Sequence, residues 1–101
     1  MTTIYETQQS INKWQNEHFP NATEDGILRH LSEEFNEFNE AACYDNIKAG
    51  SEEAADIVIL LYAWANKVGI DLHTEIDKKM LKNRHRKWNI QSDGTGRHVK
   101  D

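Results

Sequence analysis

The sequence feature that most constrains the fold is an acidic segment that leads directly into the longest apolar run of the chain. Residues 52–56 read Glu-Glu-Ala-Ala-Asp, and the apolar run from Ile57 to Ala65 follows without a break. This run is about half as long as a membrane span, so it must be buried inside the protein. Asp56 opens the run, and a carboxylate there is costly to bury unless a cation meets it.

A second acidic segment, residues 33–37, reads Glu-Glu-Phe-Asn-Glu. Both segments lie where the residue pattern indicates helix, so Glu34 and Glu37 share one helical face, and Glu53 and Asp56 share another. Like charges at this spacing destabilise a helix. We therefore predict that carboxylates from two helices converge on a hard cation such as Mg²⁺, which takes oxygen ligands and is usually completed by water and substrate phosphates.

Apolar spacing predicts an all-α fold, a four-helix bundle that forms one domain over residues 1–101. Helices are expected at about 3–18, 27–43, 52–67 and 72–88, with a polar tail from 89 to 101 and no strands. The third helix is apolar nearly all round, which marks it as the central one. Ser51 and Asp71 are the expected N-caps of the third and fourth helices, and Gly69 is the expected C-cap of the third.

Composition limits the partners and the compartment. The formal charge is −5, which argues against duplex nucleic acid or an anionic membrane as the main partner. A single cysteine, Cys43, and an amino terminus without a basic or an apolar segment lead us to expect a cytoplasmic protein. Because four short helices would leave the third incompletely covered, we also expect self-association, as a homodimer or a dimer of dimers.

Other metal chemistries lack their motifs. None of the five histidines has a glutamate three positions earlier, as a ferritin-like di-iron bundle requires. There is no His-Glu-x-x-His zinc motif, Cys43 has no cysteine partner, and no Gly-rich Walker loop is present. Oxygen-ligated Mg²⁺ remains the metal that the residues favour.

The pattern Glu-Glu-x-x-Glu at 33–37, followed after fifteen residues by Glu-x-x-Asp at 53–56, resembles the signature of the MazG-like, all-α nucleoside triphosphate pyrophosphohydrolases. The similarity extends over about residues 27–88 and includes the segment 69–72, Gly-Ile-Asp-Leu. It also includes Lys79, Asn83 and Arg86, which share one face of the fourth predicted helix. His30-Leu31 and Arg86-Lys87-Trp88 are most similar to the branch associated with dATP and dGTP.

The resemblance implies hydrolysis between the α- and β-phosphates of a nucleoside triphosphate, which yields a monophosphate and pyrophosphate. By position, Glu34, Glu37, Glu53 and Asp56 would hold Mg²⁺, with Mn²⁺ as an expected substitute. Glu33 would contact a second ion or the attacking water. Lys79, Asn83 and Arg86 would contact the outer phosphates, and the base candidates are Trp14, His30 and Trp88. Trp64 is expected in the core.

Alternatives remain open at this point. The acidic residues 33–37 could form a solvated face, Glu52 and Glu53 could complement the dipole at the start of the third helix, and the basic face could complement the end of the fourth. The chain could also be a non-catalytic nucleotide or Mg²⁺ sensor, or a helical module that docks on a basic partner. The sequence does not choose between removal of damaged nucleotides and control of a purine pool, as in a phage.

Overall fold

Four helices account for most of the structure, a computed structural model that describes residues 5–100. They are α1 (Gln8–His18), α2 (Glu24–Cys43), α3 (Ile47–Val68) and α4 (Leu72–His85). The predicted all-α architecture with four helices is confirmed. The predicted polar tail is corrected in part, because a short antiparallel hairpin follows α4, formed by β1 (Trp88–Ile90) and β2 (Gly96–His98).

The helix starts differ from the predicted ones because side-chain caps decide them. The Thr7 hydroxyl accepts from the Ser10 backbone N–H and the Ser10 hydroxyl accepts from Thr7 N–H, so α1 begins at Gln8. The predicted start at residue 3 lies outside the described residues. The Thr23 hydroxyl accepts from Gly26 N–H, so α2 begins at Glu24, three residues earlier than predicted.

The start of α3 is the correction that matters most for the site. Asn46, whose side chain accepts from Ala49 N–H, is its N-cap, and α3 begins at Ile47 rather than 52. Ser51, the predicted cap, lies inside the helix and donates to the Ile47 carbonyl at 2.7 Å. Glu53 therefore lies beyond the first turn, where the helix dipole gives little stabilisation to a carboxylate.

The α3–α4 junction forms as predicted. Gly69 is the C-cap of α3 and adopts a left-handed conformation with φ of 77°. The Asp71 side chain accepts from Thr74 N–H and caps α4. The helix ends at His85, before the predicted residue 88, because Trp88 pairs with His98 as the first residue of the hairpin.

Helix packing is uneven along the chain. The main interface joins α2 and α3, and α1 packs on α3. Hydrogen bonds also tie α1 to α3: Gln15 donates to the Ile59 carbonyl at 3.1 Å, and Asn66 donates to Asn16 at 2.8 Å. Over residues 5–100, α4 has no extensive interface with any other helix.

The core of one protomer is small. Ile27, Ala63 and Ala65 are its buried hydrophobic residues among those described, and no large side chain there is fully enclosed. One predicted core position is corrected. Trp64 is half-buried at the surface, where its indole N–H donates to Glu24 at 3.0 Å. Asp56, the predicted metal ligand that opens the apolar run, is exposed. No helix between residues 5 and 100 has the length and apolar character to cross a membrane.

Candidate metal centre and adjoining cavity

Three carboxylates from two helices meet where α2 and α3 pack together. Glu34 and Glu37 from α2 and Glu53 from α3 each offer an oxygen, and these oxygens lie within 4.8 Å of one another. Gly50 is buried one turn before Glu53, and a Cβ built on it would lie 4.0 Å from the Ala41 methyl. This small pair allows the close helix approach that brings the three carboxylates, hereafter the acidic cluster, together.

The acidic cluster holds its charges at an electrostatic cost. The pKa of Glu37 is raised above its ordinary value, first by a hydrogen bond shared with Glu53 and then by the charge of Glu53. The pKa of Glu53 is raised by a hydrogen bond with Glu34, by partial burial and by the charge of Glu34. Without a cation, Glu37 and Glu53 are therefore harder to ionise than isolated carboxyl groups.

The acidic cluster fits a divalent cation. One oxygen of Glu34 and one of Glu53 are shielded from solvent and have no hydrogen-bond partner. In residues 5–100 the only basic partner of the cluster is His30, whose ring nitrogen Nε2 lies 3.2 Å from a Glu34 oxygen, and no lysine or arginine neutralises the cluster. Convergent, unpaired carboxylate oxygens are the donors that Mg²⁺ and Mn²⁺ prefer.

The two other predicted ligands flank the cluster. Glu33 is exposed, and its charge contributes to the raised pKa of Glu37. Asp56 is also exposed, and its charge contributes to the raised pKa of Glu53. The structure thus brings three of the five predicted carboxylates within ligand distance of one another and places two beside them.

A largely apolar cavity of about 670 Å³ adjoins the acidic cluster, between α1, α2 and α3. Glu34, Asp56 and His30 line it on the acidic side. Trp14, a predicted base-binding residue like His30, lines another part of the wall and stacks on His18 with ring centroids 4.8 Å apart. Clefts of this size and character are typical of small-molecule sites.

Sequence reasoning missed several lining residues. His18 lines the cavity; it follows Trp14 by four positions and so lies on the same helical face. Phe19 meets Trp14 edge-on at 5.5 Å between centroids and also lines the cavity. Spacing from Trp14 could have identified His18, whereas no local pattern indicates that Gln15 and Asn66 face the same space.

The predicted phosphate-binding residues lie elsewhere in the protomer. Lys79 and Asn83 are on α4 and Arg86 follows it, and none of the three lines the cavity. Trp88 lies in the hairpin, donates to the Asn83 carbonyl at 2.9 Å and meets His98 edge-on. One oxygen of the Asn83 side chain is shielded and unpartnered. A single protomer therefore leaves these four residues away from the cavity.

The fold and the paired acidic helices define the class of protein. Comparison with known proteins agrees: the chain belongs to the MazG-like family, whose family model matches residues 25–101. It is 37% identical over 99 residues to a dATP/dGTP diphosphohydrolase of Salmonella phage PMBT28. That match covers 98% of this chain and 32% of the phage protein, so the chain spans about a third of its relative.

A solved structure resembles the whole fold. It is the cyanophage S-2L MazG-like pyrophosphohydrolase bound to dGDP and three catalytic Mn²⁺ ions per active site. The TM-score is 0.70 at 30% sequence identity, with 92% of this chain and 93% of the cyanophage chain covered.

Proposed function

We propose that the protein is a Mg²⁺-dependent nucleoside triphosphate pyrophosphohydrolase, with Mn²⁺ as an alternative ion. Its substrates are purine deoxynucleoside triphosphates, and its products are the monophosphate and pyrophosphate. The observation that carries the proposal is the acidic cluster with its unpaired oxygens, placed beside a cavity of nucleoside size. The phage relative named for dATP and dGTP, and the cyanophage protein bound to dGDP and Mn²⁺, support the same substrate class.

In this proposal each group of residues has a separate task. Glu34, Glu37 and Glu53 hold the ion, and Asp56 and Glu33 complete the carboxylate environment at its edges. Divalent ions, when bound, polarise phosphoryl oxygens and lower the pKa of a coordinated water. Phosphoryl transfer asks mainly for positioning and charge stabilisation, so no protein nucleophile is required.

The nucleoside occupies the cavity in this proposal. Trp14 and His30 border the base, and the phosphates extend toward Glu34 and Asp56, which line the acidic side. Because this side of the cavity joins the acidic cluster, a nucleotide bound in this direction brings its anhydride bonds to the metal ligands. We place the activity in the cytoplasm, where nucleoside triphosphates are found.

Self-association completes the proposed site. Val58 is 45% exposed in the middle of α3 and Phe35 is 55% exposed on α2, so apolar surface remains for a partner subunit. A homodimer, or a dimer of dimers, would also bring Lys79, Asn83 and Arg86 of one subunit to the acidic cavity of the other. There the three side chains would contact the outer phosphates. The planar guanidinium of Arg86 can donate two parallel hydrogen bonds to one phosphate.

The test is pyrophosphate release from canonical and modified triphosphates, with and without Mg²⁺, by wild type and Asp56→Asn. We expect metal-dependent release that is fastest with purine deoxynucleotides and is lost in the folded variant. Binding of triphosphate without any release would identify a sensor, and indifference to Mg²⁺ would favour a docking module. Full activity in Asp56→Asn would mean that Asp56 is not part of the site.

A further inference from the structure

Gln15, a residue of the cavity wall, has a side-chain oxygen that makes no hydrogen bond. It lies on α1, is half-buried and lines the cavity. Its side-chain nitrogen donates to the Ile59 carbonyl on α3 at 3.1 Å. Its side-chain oxygen is shielded from solvent and has no hydrogen-bond partner. A shielded, unpaired carbonyl destabilises the protein, so a partner for it is to be expected.

The orientation of this amide is fixed by its neighbour. A backbone carbonyl can only accept, so the nitrogen of Gln15 must face Ile59 and the oxygen must face away from it. Rotating the amide by half a turn would place two oxygens against each other. Gln15 therefore presents an acceptor, and not a donor, to any group that approaches its free end.

Several other polar side chains that line the cavity make hydrogen bonds within the protein. Asn66 donates to Asn16 at 2.8 Å, the ring nitrogen Nδ1 of His18 donates to the Trp14 carbonyl at 2.9 Å, and the Thr23 hydroxyl caps α2. Within residues 5–100, the shielded and unpartnered side-chain atoms that belong to cavity-lining residues are one oxygen of Glu34 and the oxygen of Gln15. The first belongs to the acidic cluster, and the second is free for the base.

The position of Gln15 suits a base contact. Ile59, its partner on α3, follows Asp56 by three residues and so lies about one helical turn from it. The neighbouring residue, Trp14, forms the aromatic wall of the cavity together with His18 and Phe19. A base stacked along this wall would present its polar edge near Gln15 while its phosphates reach the acidic cluster.

We infer that Gln15 is a specificity-determining residue whose side-chain oxygen accepts a hydrogen bond from an N–H on the Watson–Crick edge of the bound base. This inference rests on the proposed function and adds to it the chemical class of base. Adenine offers an exocyclic amine and guanine offers an amine and a ring N–H, whereas unsubstituted purine offers acceptors only. A site with a dedicated hydrogen-bonding group rejects analogues that lack the matching group, because its own polar atom is then left unpaired.

The experiment compares dATP, dGTP and the deoxyribonucleoside triphosphate of unsubstituted purine, with wild type, Gln15→Met and the control Gln9→Met. Gln9 is exposed on α1 and does not line the cavity. We expect wild type to prefer the N–H-bearing bases by about tenfold to a hundredfold in kcat/KM. Gln15→Met should lose that preference through slower turnover of dATP and dGTP alone, and Gln9→Met should keep it.

A binding measurement separates this inference from the proposed function. The deoxynucleoside monophosphates of adenine, guanine and unsubstituted purine are titrated calorimetrically against wild type and both variants without metal. Failure of wild type to release pyrophosphate would overturn the activity, yet an N–H preference in binding that depends on Gln15 would still support the base contact. Equal binding of all three monophosphates by wild type, or the same preference in folded Gln15→Met, would overturn the inference. Should Gln15→Met not fold, equal binding of the three monophosphates by wild type would still overturn the inference.

Discussion

Two parts of the molecule, residues 5–68 and residues 72–100, differ in charge and in packing. Residues 5–68, which contain α1 to α3, hold twelve aspartates and glutamates and four lysines and arginines. Residues 72–100, which contain α4 and the hairpin, hold three acidic and eight basic residues. The first part packs around a shared interface, whereas α4 has no extensive interface with the other described helices. The acidic part and the basic part thus do not neutralise each other within one protomer.

This difference in charge between the two parts indicates how the candidate site is built. The acidic part gathers carboxylates that raise each other's pKa, as Glu37 and Glu53 show. The basic part keeps Lys79 and Arg86 unpaired with any described carboxylate. In the proposed function, a cation and a polyphosphate would supply the charges that each part lacks within one protomer.

The largest effect is expected when the acidic part loses its ligand from α3. Glu53→Gln should abolish Mg²⁺-dependent pyrophosphate release by more than the 10–100-fold typical of outer-shell partners, because a direct ligand is removed. The control is Glu52→Gln, which alters the exposed neighbour and should retain activity. Circular dichroism would establish that both variants fold, and an active, folded Glu53→Gln would contradict the assigned metal centre.

Mixing subunits tests whether the basic part acts across an interface. Glu53→Gln and Arg86→Ala homo-oligomers should each be impaired, the second because it loses a charge-assisted phosphate contact. After subunit exchange, a dimer with sites shared between chains should regain about a quarter of wild-type activity, because half the dimers are mixed and each has one intact site. If the basic part acts within its own chain, mixing will give only the average of the activities of the two variants.

The raised pKa values predict how the metal-free protein responds to pH. The ordinary pKa of the Glu53 carboxyl is 4.5, and its pKa in the folded protein is higher. As the pH rises above 4.5, the folded protein therefore keeps this proton longer than the unfolded chain does. The unfolding free energy should therefore fall as pH rises through the raised pKa. Melting temperatures in the presence of a chelator would be compared for wild type and Glu53→Gln, and the variant should lose less stability over this range. Identical pH dependence in the two proteins would show that the carboxylates do not interact.

The smallest effect concerns two glycines that share a left-handed backbone conformation. Gly69 and Gly94 both have positive φ, 77° and 88°, and a Cβ on either would meet nothing within 4 Å. Gly69→Ala at the C-cap of α3 should lower the unfolding free energy by about 1 kcal/mol, because alanine is strained there. Gly94→Ala carries the same strain in the hairpin, where it should leave the main unfolding transition unchanged. Equal losses in urea denaturation would mean that the hairpin unfolds together with α1–α3.

Capping explains why element types were easier to predict than element ends. The helices were predictable from apolar spacing, and Gly69 and Asp71 were predictable because each carries its own local signal. Asn46 supplanted Ser51 as the cap of α3, since residues 47–51 continue the helix toward the packing partner Ala41. The hairpin was missed because its strands are only three residues long, so the apolar–polar alternation of Trp88-Asn89-Ile90 is too short to indicate a strand.

The sequence by itself determined the four helices, the two acidic segments and the family, because helical periodicity and carboxylate spacing are local properties of the chain. Tertiary structure alone decided that Glu34, Glu37 and Glu53 share a centre while Asp56 and Glu33 stand beside it. It also placed Gln15 against Ile59 at the cavity wall and left α4 apart from the other helices. Which carboxylates meet, and which polar atoms stay unpaired, depends on how closely helices distant in sequence approach each other.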